Sequence, residues 1–163
     1  MIVVADTSVI LNLCCVNQQE ILSSLFRDVV VPPEVRHEFE RAVRVYPRFA
    51  GLVLPGWIKE QAPSSIPDTV RDAPRLDAGE MAAIALALEI TADAVLIDET
   101  DGRQAARQHG LIAIGVLGVL VRARHAGLIT AVAPIIEQLE QRANFWVRPE
   151  IRLEVLRLVG EAN

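Results

Sequence analysis

Four short apolar runs punctuate the chain: Ile-Val-Val-Ala at 2–5, three valines at 29–31, Ala-Val-Leu-Ile at 94–97 and Leu-Ile-Ala-Ile at 111–114. None alternates polar with apolar residues, so each predicts a strand buried on both faces. The stretches between them predict helices over 9–15 and 18–27, joined near Asn17, and over 34–46, 78–90, 101–109, 116–126, 131–143 and 150–159. Val35, Phe39, Ala42 and Tyr46 form one apolar stripe at helical spacing, and Met81, Ile84, Ala85 and Leu88 form another. Pro33 suits the first turn of its helix, and Gly110 closes the helix before it. Residues 57–61 read as a short strand. The stretch 62–76, with Pro63, Pro67 and Pro74, reads as a loop or a short irregular helix. Strands alternating with helices predict an α/β fold whose parallel sheet is covered on both faces. One domain is expected over 1–163, with about 131–163 as a C-terminal helical extension.

With 52% hydrophobic residues the chain has the material for a packed core. No apolar stretch reaches the ~20 residues of a membrane span. No basic segment precedes the first apolar run, so no signal peptide is expected. Cys14 and Cys15 are adjacent, which implies no disulfide framework and fits a reducing cytoplasm. They read as small core filler on a helix. The net charge of −5 argues against a free-standing binder held by phosphate contacts. It leaves room for a nucleic-acid enzyme whose acidic site is neutralised by divalent cations. The basic residues are 15 Arg and one Lys, Lys59. Arginine offers a planar fork suited to phosphate or carboxylate, although a GC-rich genome would produce the same skew.

Two of the apolar runs end in a carboxylate, the first at Asp6 and the third at Asp98. A charge at the end of a buried strand is costly unless it is paired, and the carboxyl ends of parallel strands are where α/β proteins bind ligands. Either Asp alone also reads as a helix cap. Glu38 borders the Val35–Phe39 stripe. Glu80 lies on the core side of its helix and in its first turn, where the macrodipole favours negative charge. Asp77-Ala78-Gly79-Glu80 also fits a capping box, in which Glu80 reaches back to the Asp77 amide. Glu38 fits equally the flank of an ordinary amphipathic helix. Several acids at one end of a sheet repel one another unless cations hold them, and an all-oxygen set selects Mg2+ or Mn2+ over zinc. His37, His109 and His125 show no zinc-like spacing.

In order and spacing, the Asp-Thr-Ser at the end of the first strand, PPEVRHEF, LDAGEMAAIALA and VLIDETDGRQAA resemble the motifs of the PIN-domain ribonucleases, a superfamily that includes the VapC-like toxins. The segments GVLGVLVRARHAGLI and NFWVRPEIRLEVLRLVGE are similar to a less characterised prokaryotic PIN-like subgroup. The resemblance spans nearly the whole chain. It implies a three-layer α/β/α sandwich around a parallel sheet, with extra C-terminal helices, and a Mg2+- or Mn2+-dependent endoribonuclease. Carried over by motif, the catalytic residues are Asp6, Glu38, Glu80 and Asp98, with Asp6, Glu80 and Asp98 as metal ligands. Ser8 takes the small polar place that orients Asp6. Glu80 stands where the family often has Asp. The last motif departs from the common Thr-x-Asp pattern, so Asp98, Glu99 and Asp101 all compete for the ligand role; Asp98 comes first because it directly ends the strand, with Glu99 and Asp101 as supporting residues.

Three function classes follow. The leading one is a metal-dependent endoribonuclease acting as the toxin of a type II toxin–antitoxin pair, with an RNA substrate, an antitoxin partner, no membrane and a homodimer as its expected setting. The second is a non-catalytic PIN-like module that binds a protein. The third, a receiver or dehalogenase-like phosphatase, fits poorly. A receiver needs a late-strand Lys, and Lys59 is in the wrong region; the phosphatase needs an Asp where Ser8 stands.

Overall fold

The computed structural model describes residues 1–162; Asn163, the last residue of the expected domain, lies outside them. Five strands form one parallel sheet: β1 (Ile2–Ala5), β2 (Asp28–Val31), β3 (Lys59–Glu60), β4 (Ala94–Leu96) and β5 (Ala113–Ile114), in the order β3-β2-β1-β4-β5. The chain starts at the centre, winds outward through β2 and β3, then returns to the other side of β1 for β4 and β5. The switch point therefore falls between β1 and β4, whose register pairs Val3 with Ala94 and Ala5 with Leu96. In open parallel sheets this crevice, beyond the strand carboxyl ends, is where ligands bind.

Side-chain alternation divides the core in two. Val3, Ala5, Val29, Val31, Leu96 and Ile114 face one layer of helices. That layer holds α1 (Thr7–Cys15), α2 (Glu20–Leu25), α3 (Pro33–Val45), and, later in the chain, three further helices described below. Val4, Val30, Val95 and Ile97 face the opposite layer. This second layer is built from the single turn α4 (Asp68–Arg71), the Ala-rich α5 (Ala78–Glu89) and α6 (Thr100–Gln108). The first layer is completed by α7 (Val116–His125), α8 (Ala133–Ala143) and α9 (Pro149–Leu158). The result is a three-layer α/β/α sandwich, as the apolar runs predict.

Most expected elements appear within a residue or two of their predicted ends. Where they differ, local chemistry explains it. The first helix ends with Asn17 at φ 58°, where the Gln18 amide donates to the Leu13 carbonyl at 2.8 Å and the Asn17 amide to Cys14 at 3.0 Å. This is a Schellman closure with Asn supplying the left-handed residue. The predicted 18–27 helix shortens to Glu20–Leu25 because Phe26 is already extended and Asp28 opens the strand. β3 keeps two residues, both exposed and charged, a composition that protects a sheet edge from further pairing. Lys59 pairs with Asp28 at 2.5 Å, which holds the Asp28 carboxyl below its usual range. Cys14 is buried as expected and Cys15 half-buried.

The C-terminal helices belong to the main core: Ile136 and Leu139 of α8 are fully buried against it. Leu139→Ala is therefore expected to cost about 2–5 kcal/mol in urea unfolding. A loss below about 1 kcal/mol would mean that α8 is a detachable appendage.

Candidate metal centre at the sheet switch point

Asp6 leaves β1 at the switch point. Its amide donates to the Leu96 carbonyl at 2.8 Å, so the β1–β4 ladder continues one residue past the strand. The side chain is 3% exposed, makes no helix-capping hydrogen bond, and leaves Oδ1 buried without a partner. The capping reading of Asp6 thus fails: the side chain closes no cap, and Oδ1 stays unpartnered. Burial raises its pKa well above the ordinary range; the Thr7 amide offsets this in part, while Asp77, Glu80 and Glu38 add to the rise.

Glu38 reaches the same place from α3. Its Oε2 accepts from the Thr7 hydroxyl at 2.8 Å and its Oε1 from the Gly79 amide at 3.0 Å. The second contact is possible because residue 79 has no side chain: a Cβ there would collide with the Glu38 carboxylate. Asp77, Gly79 and Glu80 form the start of α5, so the middle of α3 meets the start of α5 beyond the strand ends. Asp6, Glu38 and Asp77 each offer an oxygen, and these oxygens lie within 4.8 Å of one another. They line the wall of an open cavity of about 560 Å³, shared with Thr7, Ser8, Arg41, Tyr46 and Glu99. Three converging carboxylates, one of them with a buried, unpartnered oxygen, fit a hard divalent cation.

The other predicted residues are placed differently. Glu80 is buried, and the capping box is formed: its amide donates to Asp77 Oδ1 at 2.8 Å and its Oε2 accepts from the Asp77 amide at 3.0 Å. Its Oε1 is directed towards Gly102. Burial, with Asp77, Glu99 and Glu38 nearby, pushes its pKa up to about 7. Asp98 does not face Asp6. Because Ala5 pairs with Leu96, Asp6 lies opposite Ile97 and Asp98 is one residue further on, so alternation turns it to the other face. There Asp98 Oδ1 accepts from the Val116 amide at 2.9 Å, at the start of α7, and burial pushes its pKa up to about 6. Of its neighbours, Glu99 lines the Asp6 cavity and Asp101 pairs with Arg75 at 3.6 Å.

Ser8 does not orient Asp6, because its buried Oγ makes no hydrogen bond. The orienting hydroxyl is Thr7, and it acts on Glu38. Asp77, read from sequence only as a cap, is the residue that spacing missed as a cluster member.

Residues 2–161 match a family model described as a PIN domain. The chain belongs to the PIN-domain family. PIN domains are generally nucleases that use divalent metals and act on nucleic acids. A search among curated proteins finds no match. Among the described residues of this PIN domain, no helix is long and apolar enough to cross a membrane.

These carboxyls set a pH signature. Glu80 rises from 4.5 to about 7 and Asp98 from 3.8 to about 6 on folding, so the folded state binds protons more tightly. Their contribution to stability is fully present below the unfolded values and is lost as pH rises through the folded ones. Without metal, the melting temperature is therefore expected to fall between about pH 5 and pH 8, less steeply in Glu80→Gln, whose side chain keeps the capping box. Identical pH profiles for the two proteins would contradict the assignment.

Proposed function

We propose that this PIN domain is a Mg2+- or Mn2+-dependent endoribonuclease, and that it serves as the toxin of a toxin–antitoxin pair. The observation that carries the chemistry is the convergence of Asp6, Glu38 and Asp77, together with an Asp6 oxygen that nothing in the protein satisfies. The whole-chain likeness to PIN-domain ribonucleases supports RNA as substrate and an antitoxin as partner. A cytoplasmic setting and a homodimer belong to the same reading; exposed apolar residues such as Val53 and Trp146 support contact with a second copy or with the antitoxin.

In this mechanism Asp6, Glu38 and Asp77 would hold the cation, with the Glu80 charge close enough to add to the field at Asp6. The bound cation supplies an activated water nucleophile and stabilises charge on the leaving oxygen, so no covalent nucleophile is needed. Thr7 and the Gly79 amide fix the Glu38 carboxylate, which keeps the ligand set from collapsing inward. Arg41, three residues after Glu38 in the same cavity wall, is placed to meet a phosphate. Asp98 serves the start of α7 on the other face.

The test is RNA cleavage by the purified protein. Cleavage is expected with Mg2+ or Mn2+, to stop in EDTA, and to return on adding excess Mn2+. Partner binding with no cleavage even at high Mn2+ would favour the non-catalytic module, in which an inserted partner Arg would neutralise the acids instead.

A further inference from the structure

Beyond the strand end that carries Asp98, at the β5 edge of the sheet between α6 and α7, lies a second open cavity of about 420 Å³. Three arginines converge on it: Arg103 and Arg107, one turn apart on α6, and Arg122 on α7. Their guanidiniums take part in no ion pair among the described residues, although the chain carries 21 acids against 16 basic residues. Three unpaired guanidiniums in the wall of one cavity give it a local excess of positive charge in a chain whose net charge is −5. One acid lies in the wall, Asp98. It offsets at most one of the three positive charges, and its Oδ1 is occupied by the Val116 amide. Half-buried Phe145 contributes an aromatic wall, and the missing side chain at Gly115 makes room for the Asp98 carboxylate. Arg103 and Arg107 also border an adjoining depression with Thr100, which extends the charged surface along α6. Glu99, which lines the metal-centre cavity, sits between Asp98 and Thr100 in the chain, so the two cavities flank one loop.

We propose that Arg103, Arg107 and Arg122 form a phosphate track that holds single-stranded RNA, delivering the strand across the turn from β4 into α6 to the carboxylate cluster. The proposal rests on the nuclease reading of that cluster. Guanidiniums that track a backbone beside an aromatic wall are the recurring design for single-stranded nucleic acid. The arginines are positioning residues: they act on strand binding and not on the reacting bond.

The test is fluorescence anisotropy with a labelled single-stranded RNA oligonucleotide, with Ca2+ in place of Mg2+ so that binding is read without cleavage. Replacing all three arginines by Gln removes three phosphate contacts. The slope of log affinity against log salt should then become shallower by about two, at roughly 0.7 per contact on a single strand, with an affinity loss of tenfold or more at low salt. In Mg2+ the loss should fall on KM and not on kcat. The triple Lys variant should restore most of the binding. A charge-matched control with Arg27, Arg71 and Arg157 changed to Gln should leave the salt slope unaltered. An unchanged slope in the groove variant, an equal effect in the control, or equal competition from polyglutamate of matched charge would overturn the track. A protein that binds RNA through these arginines yet cleaves nothing would keep the track and overturn the nuclease reading. A protein that cleaves RNA with unchanged KM in the groove variant would do the reverse.

Discussion

Asp6→Asn is expected to lower metal-dependent RNA cleavage by about three orders of magnitude, equal to ~4 kcal/mol of transition-state stabilisation, while making the metal-free protein more stable. The two effects have one cause. Asp6 is 3% exposed, its Oδ1 has no partner, and Asp77, Glu80 and Glu38 all add to the cost of its charge. An amide of nearly the same shape removes that charge and can donate to a neighbouring carboxylate. The gain is about 1–3 kcal/mol, the range for relieving an unsatisfied buried group, or about 2–4 °C of melting temperature per kcal/mol for a chain of this size. The same substitution deletes a ligand that the cation needs. Mg2+ or Mn2+ should therefore raise the melting temperature of the native protein more than that of the variant. A variant that is inactive and also less stable would show that Asp6 serves the fold and not a site.

Gly79→Ala should have a comparable effect on activity by a different route. Residue 79 lies in the first turn of α5, where Ala would ordinarily favour the helix. Here a Cβ would stand against the Glu38 carboxylate, which also accepts the Gly79 amide and the Thr7 hydroxyl. Glu38 must withdraw, and two hydrogen bonds go with it. The expected cost is about 1–3 kcal/mol in stability, as for other insertions into a packed site. Cleavage should fall by 10²-fold or more, as for a misplacement of about 1 Å at a catalytic group. Gly79→Ala combined with Glu38→Asp, whose shorter side chain frees the space, should recover stability better than activity. Full activity in Gly79→Ala alone would remove Glu38 from the mechanism.

The fold was readable because the apolar runs do not alternate. Val3, Val4, Val95 and Ile97 are wholly buried, some towards one helix layer and some towards the other, and only a central parallel strand requires that. Asp6 and Glu38 were readable for a related reason: a carboxylate that ends such a strand, or borders an apolar stripe, has few places to go. Three features depended on geometry that spacing does not encode. The facing of Asp98 turns on the parity between two strands, and the pairing of Ala5 with Leu96 sends it away from Asp6. The role of Asp77 was hidden because the same Asp-x-x-Glu pattern describes a capping box, which is indeed formed; capping and facing a cluster are not exclusive for a carboxylate with two oxygens. Thr7 and Ser8 are neighbours on one turn, and only their rotation about α1 decides that Thr7 reaches Glu38.

The most direct test of the metal centre is a crystal of the purified protein soaked in Mn2+, with anomalous scattering to locate the ion. The predicted result is a Mn2+ peak bridging Asp6, Glu38 and Asp77, absent in Asp6→Asn. A peak beside Asp98 at the start of α7, or none within reach of Asp6 at saturating Mn2+, would contradict it.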